Sequence, residues 1–198
     1  MKKRKRYLWL LGVCILAVTA AFLFLRQREE ATPTEPTLTV ETPQKLSRTE
    51  PFTLDVTISA LGEDRYPAMS LSLSFDASRL EFLGVEEGNV FTRDEGSNAG
   101  QKLPDWSCNV QNSNETGKIN IMYLDMTGGR NAFTKELLDE GRNVLLRLKF
   151  RLRGSVRAGD VLDLIVEDAV FADSDETQSL AMTTDTLKVK NSRLVIGD

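Results

Sequence analysis

The chain has 198 residues, 41% hydrophobic and 27% charged, which suits one domain of ordinary size, about 100 to 150 residues, plus accessories and excludes global disorder and a polytopic membrane protein. Seven of its 25 Lys and Arg lie in the first 28 residues and all 29 Asp and Glu follow, so residues 29–198 set 18 cations against 29 anions, a net of −11. That acidic balance argues against nucleic acid as a partner, and the absence of His excludes His-dependent triads and the common zinc sites.

Residues 1–6 hold five cations, and Tyr7–Leu25 follows as 19 uncharged, mostly apolar residues. At about 1.5 Å per helical residue this run nearly matches a hydrocarbon core of about 30 Å. The cations before it keep the N-terminus in the cytoplasm, so the expectation is a single-pass membrane anchor with the rest of the chain outside the cell. A cleaved signal peptide is the competing reading, with Val18 and Ala20 as small residues near a cut. The apolar sequence continuing through Phe22–Leu25 favours the anchor. Cys14 is a weak lipidation candidate, because the residue before it, Val13, is larger than such sites want. Cys14 lies in the apolar run and Cys108 in the later domain, so no internal disulfide is expected and packing must supply the stability.

Residues 26–37, rich in Thr, Pro and Glu, read as an extended stalk. From Leu38 onward the pattern alternates with period two. In Phe52–Ser59 the residues Phe52, Leu54, Val56 and Ile58 share one face, and in Met69–Phe75 the residues Met69, Leu71, Leu73 and Phe75 oppose Ser70, Ser72 and Ser74. Further strands are predicted at Leu38–Glu41, Leu80–Val85, Trp106–Gln111, Ile119–Leu124, Val144–Arg153, Val161–Phe171 and Leu187–Ile196. Gly62, Gly84, Gly88, the Asn112–Gly117 stretch, Gly128 with Gly129, and Gly154 with Gly159 punctuate them as turns. One helix is predicted at Thr134–Glu140, capped by Thr134 and ended by Gly141, and Phe91–Lys102 reads as an exposed loop. Nine strands with little helix imply an all-β fold, an antiparallel β-sandwich over residues 38–198, because a sheet with one apolar face must cover it with a second sheet.

Three stretches carry a resemblance. Ser74–Phe82 resembles the strand, turn and strand near the start of bacterial cellulosomal cohesin domains. Gly117–Ile119 with Ile121–Gly128 is similar to their central strand and its closing Asp and Gly, and Leu148–Leu152 with Asp168–Asp173 to their late strands. Ala77 departs from the Pro that the family often has there. The resemblance implies a nine-stranded jelly-roll sandwich that performs no chemistry and binds a dockerin, the calcium-loaded module of cellulosomal proteins. It would thereby tether polysaccharide-degrading machinery at the cell surface.

In that family the partner rests on the outer face formed partly by the strands matching Met69–Phe75 and Ile119–Leu124. Periodicity then selects Ser70, Ser72, Ser74, Asn120, Met122 and Leu124 as outward residues, with Asp125 at the strand end either meeting the partner or capping its own turn. Exposed Met122 and Leu124 suit an interface; a solvated serine face with a covering loop is the alternative. Arg147, Lys149, Arg151 and Arg153 form a cationic stripe, read as a solvated face that meets acidic neighbours and discourages strand addition, with attraction of an acidic partner or cell-wall polymer as the alternative. An EF-hand loop from Asp173 fails, since Gln178 and Thr184 stand where Gly and a carboxylate are required, so no metal is expected. Among the many Asp and Glu nothing singles out a carboxylate pair for hydrolysis, and no cofactor or catalytic residue is expected. Asn114-Glu115-Thr116 fits a glycosylation sequon. Two rival readings are a carbohydrate-binding module, with Trp106, Tyr66 and Tyr123 as the sugar platform although Tyr123 lies in the inward register, and a structural element of a surface assembly.

Overall fold

The computed structural model describes residues 35–43, 46, 49–62, 64–90, 106–138, 141–173, 182–183 and 185–197. The predicted membrane segment, the stalk up to residue 34 and the Phe91–Lys102 loop lie outside these residues. Among the described residues no helix is long and apolar enough to cross a membrane.

Among the described residues, ten strands form two five-stranded sheets. The first contains β1 (Thr37–Val40), β2 (Phe52–Ile58), β4 (Leu80–Glu87), β7 (Val144–Leu152) and β9 (Lys188–Lys190), ordered β4-β7-β2-β1-β9. The second contains β3 (Ala68–Ser74), β5 (Ser107–Cys108), β6 (Lys118–Leu124), β8 (Val161–Ala172) and β10 (Ser192–Val195), ordered β10-β8-β3-β6-β5. Within a sheet only β1–β2 and β5–β6 are consecutive neighbours, and the chain otherwise winds back and forth between the layers, as a jelly roll does. Every pairing is antiparallel except β1 with β9, which run parallel.

The alternation seen in the sequence is the alternation of burial. Phe52, Leu54, Val56 and Ile58 of β2, and Leu146, Leu148, Phe150 and Leu152 of β7, face Met69, Leu71 and Leu73 of β3 and Leu162, Leu164 and Val166 of β8 in one continuous core. Aromatic rings fill both ends. Phe150 stacks with Phe52 and meets Phe75 and Phe82 edge-on or tilted, with ring centroids 5.4 to 6.2 Å apart. At the other end Phe133 lies 5.3 Å from Tyr123 and 5.7 Å from Phe171, both edge-on.

Four expectations need correction. The single predicted strand Leu187–Ile196 is two strands in different sheets, which raises the count from nine to ten. Its cause is a change of phase at Asn191: Leu187 and Val189 pack inward before it, Leu194 and Ile196 after it, so one continuous strand would turn half of these outward. The strand predicted at Trp106–Gln111 stops after Cys108 and passes into a helix, α1 (Val110–Thr116). Asn109 caps that helix by accepting from the Asn112 amide, and Gly117 closes it at φ 70°, a left-handed conformation suited to glycine. The predicted helix at Thr134–Glu140 is only a single 3-10 turn, Lys135–Leu137, and Thr134 makes no side-chain cap. The two sheets are also not wholly antiparallel, because β9 pairs with β1 in the parallel sense.

Candidate functional site

Strands β3 and β6 are neighbours in the second sheet, in the register Ala68↔Leu124, Ser70↔Met122, Ser72↔Asn120 and Ser74↔Lys118. Met69, Leu71 and Leu73 are buried, as are Ile119, Ile121 and Tyr123, so the intervening residues emerge together on the outer face. Six of the seven predicted site residues, Ser70, Ser72, Ser74, Asn120, Met122 and Leu124, therefore form two adjacent rows. Ser72 Oγ donates to Asn120 Oδ1 at 2.8 Å, while Met122 and Leu124 stand 59% and 57% exposed.

Asp125 lies at the rim of these rows and serves its own turn. Its Oδ1 accepts the Thr127 amide at 2.7 Å and the Thr127 hydroxyl, and its Oδ2 accepts the Asn131 amide at 3.3 Å. Desolvation, the strongest single influence, pushes the carboxyl up, but the hydrogen bonds from Thr127, Asn131 and Gly129 together outweigh it and hold the group below the ordinary Asp value.

Strand β8 borders β3 on the other side and widens the face. Ser70 opposes Val170, Ser72 opposes Asp168 and Ser74 opposes Ile165, with a register shift between Ser72 and Leu73. Beyond it, Arg193 and Val195 of β10 oppose Asp163 and Val161. The face thus includes Ile165 and Val195, 47% and 61% exposed, and Met126, 84% exposed, continues it past Leu124. Periodicity alone misses this part. It marks Ile165 as an apolar residue in the polar register between Asp163 and Glu167, but nothing local reveals that β8 pairs with β3. Across the face, Lys118 Nζ pairs with Glu167 at 3.0 Å, a hydrogen bond that holds the Glu167 carboxyl low.

The aromatic sugar platform is not assembled. Tyr66 and Tyr123 are 1% and 5% exposed, and Trp106 packs on Tyr123 and Phe133 with centroids 5.6 and 6.1 Å away. Tyr123 donates its hydroxyl to the Asn131 carbonyl at 2.8 Å, and burial, then the Asp125 charge, push its phenol up to about 12. Two of the three rings are thus buried, and Trp106 is half-buried against the core.

The cationic stripe meets acidic neighbours as expected. Arg147 pairs with Asp55 at 3.0 Å, Lys149 with Glu86, and Arg151 approaches Glu81 at 3.6 Å. Its strand, however, is flanked by β4 and β2, so β7 is central and the expected role in discouraging strand addition does not apply. The carboxylate of Asp173 belongs to no metal-binding cluster among the described residues.

These features define a two-layer β-sandwich with one broad outer face on which apolar side chains stand among small polar ones. The chain belongs to the cohesin-domain family, whose profile matches residues 36–189. No characterised protein sequence matches it. Among solved structures it is similar to a cohesin of Clostridium thermocellum in a type I cohesin–dockerin complex, with a TM-score of 0.60 at 14% identity over 82% of this chain and 99% of that one. It is also similar to the sixth cohesin of scaffoldin B from Acetivibrio cellulolyticus, in complex with a dockerin, with a TM-score of 0.57 at 18% identity over 82% and 99%. A non-cellulosomal cohesin from the archaeon Archaeoglobus fulgidus shares the fold with a TM-score of 0.53 at 17% identity over 83% and 93%.

Proposed function

We propose that this chain is a non-catalytic cohesin module that docks dockerin-bearing proteins on the outer face of the β10-β8-β3-β6-β5 sheet. The partner's dockerin carries its own calcium. Tyr7–Leu25 anchors the chain in the cell membrane with the sandwich outside, and the module tethers polysaccharide-degrading machinery of the cellulosome type there.

One observation carries the reading. Met122, Leu124, Met126, Ile165 and Val195 are the large hydrophobic side chains left exposed among the described residues, and all five lie on this sheet or directly beyond the end of β6. Exposed apolar groups gathered on one face mark recognition surfaces. Here they stand at both ends of the face, Met122 and Leu124 at one and Ile165 and Val195 at the other, and Ser70, Ser72 and Asn120 between them offer hydrogen bonds at close approach. A flat face of this kind suits burial of an ordinary interface, about 1,200 to 2,000 Å² in total, with no covalent step. The family membership and the dockerin complexes of its structural relatives support this partner class.

The test is a binding assay between the full chain in detergent and the set of dockerins from the same organism, with and without calcium. Calcium-dependent capture of at least one dockerin is expected. Silence from the whole set with calcium present refutes the proposal. Accessibility of the C-terminal region to an impermeant label on intact cells tests the membrane topology separately.

A further inference from the structure

A sheet edge exposes unpaired amides and carbonyls that recruit further strands. Among the described residues, three of the four edge strands are short: β5 has two residues, β9 three and β10 four. β4 has eight and is the edge at which strand addition would extend furthest.

Phe82 of β4 faces Phe150 of β7 in register. Its amide donates to Asn114 Oδ1 at 2.9 Å, and its carbonyl accepts from Asn114 Nδ2 at 2.8 Å. Both main-chain groups therefore point away from β7, toward the open edge. A side-chain amide presents one acceptor and one donor side by side, as a peptide group does, and Asn114 offers them to Phe82 as a neighbouring strand would. The same Nδ2 donates to the Val110 carbonyl at 3.0 Å, which locks the rotamer within α1. Two residues beyond a register shift between Phe82 and Gly84, the Val85 amide meets the Cys108 sulfur of β5. On the near side of Phe82, the Leu80 amide is taken by the Asp76 carbonyl at 2.9 Å. Gly84 itself sits at φ 135°, and the irregularity there turns the edge further from a flat template.

We propose that the segment from β5 through α1 guards the open edge of β4, with the Asn114 amide standing in for a strand, so that the chain cannot self-associate by strand addition there. Partner docking is thereby left to the outer face of the other sheet. The same geometry closes the Asn114-Glu115-Thr116 sequon: the nitrogen that would carry a glycan already donates to two carbonyls, so the folded chain is not modified at Asn114.

The test compares full-length Asn114→Ala with wild type and with Gln111→Ala, which changes the exposed side of the same helix. Each is kept in density-matched detergent for sedimentation equilibrium and hydrogen exchange. Asn114→Ala should associate beyond the wild-type state as concentration rises. In dilute samples its Phe82 amide should exchange at least about tenfold faster, while Leu148 in β7 stays unchanged. Gln111→Ala should match wild type in both. A folded Asn114→Ala that never exceeds the wild-type association state, or that associates with Phe82 exchange unaltered, overturns the proposal. If Asn114→Ala fails to fold by circular dichroism, wild type decides: a Phe82 amide as protected as that of Leu148 supports the guard, and one exchanging at the rate of exposed termini overturns it.

Discussion

The outer faces of the two sheets are built from the same alternating strands yet are finished differently. On the β4-β7-β2-β1-β9 sheet most outward residues are charged or small and polar, and Arg147, Lys149 and Arg151 each find a carboxylate on a flanking strand. None of the exposed large apolar residues belongs to it. On the β10-β8-β3-β6-β5 sheet, Met122, Leu124, Ile165 and Val195 stand in the outward register, with the Lys118–Glu167 pair between them. Burial of apolar surface drives association and exposed ion pairs contribute little to it, so under the proposed function the second face, not the first, is the one a partner covers. The two faces differ in the outward half of the pattern while sharing one core.

The strongest way to break that comparison is to remove the support both faces share. Phe150 is fully buried among Phe52, Phe75 and Phe82, and Phe150→Ala should cost about 3 to 5 kcal/mol in denaturant unfolding. A loss below about 1 kcal/mol would mean that this aromatic end is not part of the core.

Next in size is a direct contrast of the faces. Met122→Asp should weaken dockerin binding by more than about 1 kcal/mol in calorimetric titration without moving the unfolding midpoint. Lys149→Ala on the opposite sheet should leave affinity unchanged. Equal effects from both variants would erase the distinction.

Asp125 sharpens the boundary of the second face through pH. Its folded carboxyl lies below the ordinary value of 3.8, so the folded state binds its proton less readily than the unfolded chain does. The stabilisation is therefore fully present above the unfolded value and is lost as pH falls below it through the folded value. The stability advantage of wild type over Asp125→Asn, measured by urea unfolding across a pH series, should shrink below pH 3.8. A constant difference would show that the turn does not depend on the charge.

Arg151→Ala should matter least. Its pair with Glu81 spans 3.6 Å with both side chains more than a third exposed, and such pairs are worth about 0 to 1 kcal/mol. A larger loss of stability would mean that the first face is held by its ion pairs as well as by the core beneath it.

The strands with strict alternation were legible because each has one buried face: β2, β3, β6, β7 and β8 fall within a few residues of expectation. Where local signals were weighed wrongly, the correct ones were present. Asn109 and Gly117 bracket α1 as a helix start and stop, and the phase change at Asn191 separates β9 from β10. Thr134 to Gly141 misled for the opposite reason, since capping residues suggest a helix but too few apolar positions hold one against the core. The candidate rows on β3 and β6 were found by periodicity, with the resemblance supplying their adjacency.

By itself the sequence determined which side of the strictly alternating strands β2, β3, β6, β7 and β8 is buried, because a period of two assigns every residue to one face or the other without reference to neighbours. It also determined that the outward half of β3 and β6 mixes small polar and apolar groups. Only the tertiary structure decided that β8 and β10 extend that face, that β7 is central and its cations paired, and that Asn114 closes the edge of β4. Those outcomes depend on which strands lie side by side, and strand order follows from long-range pairing that no local pattern encodes.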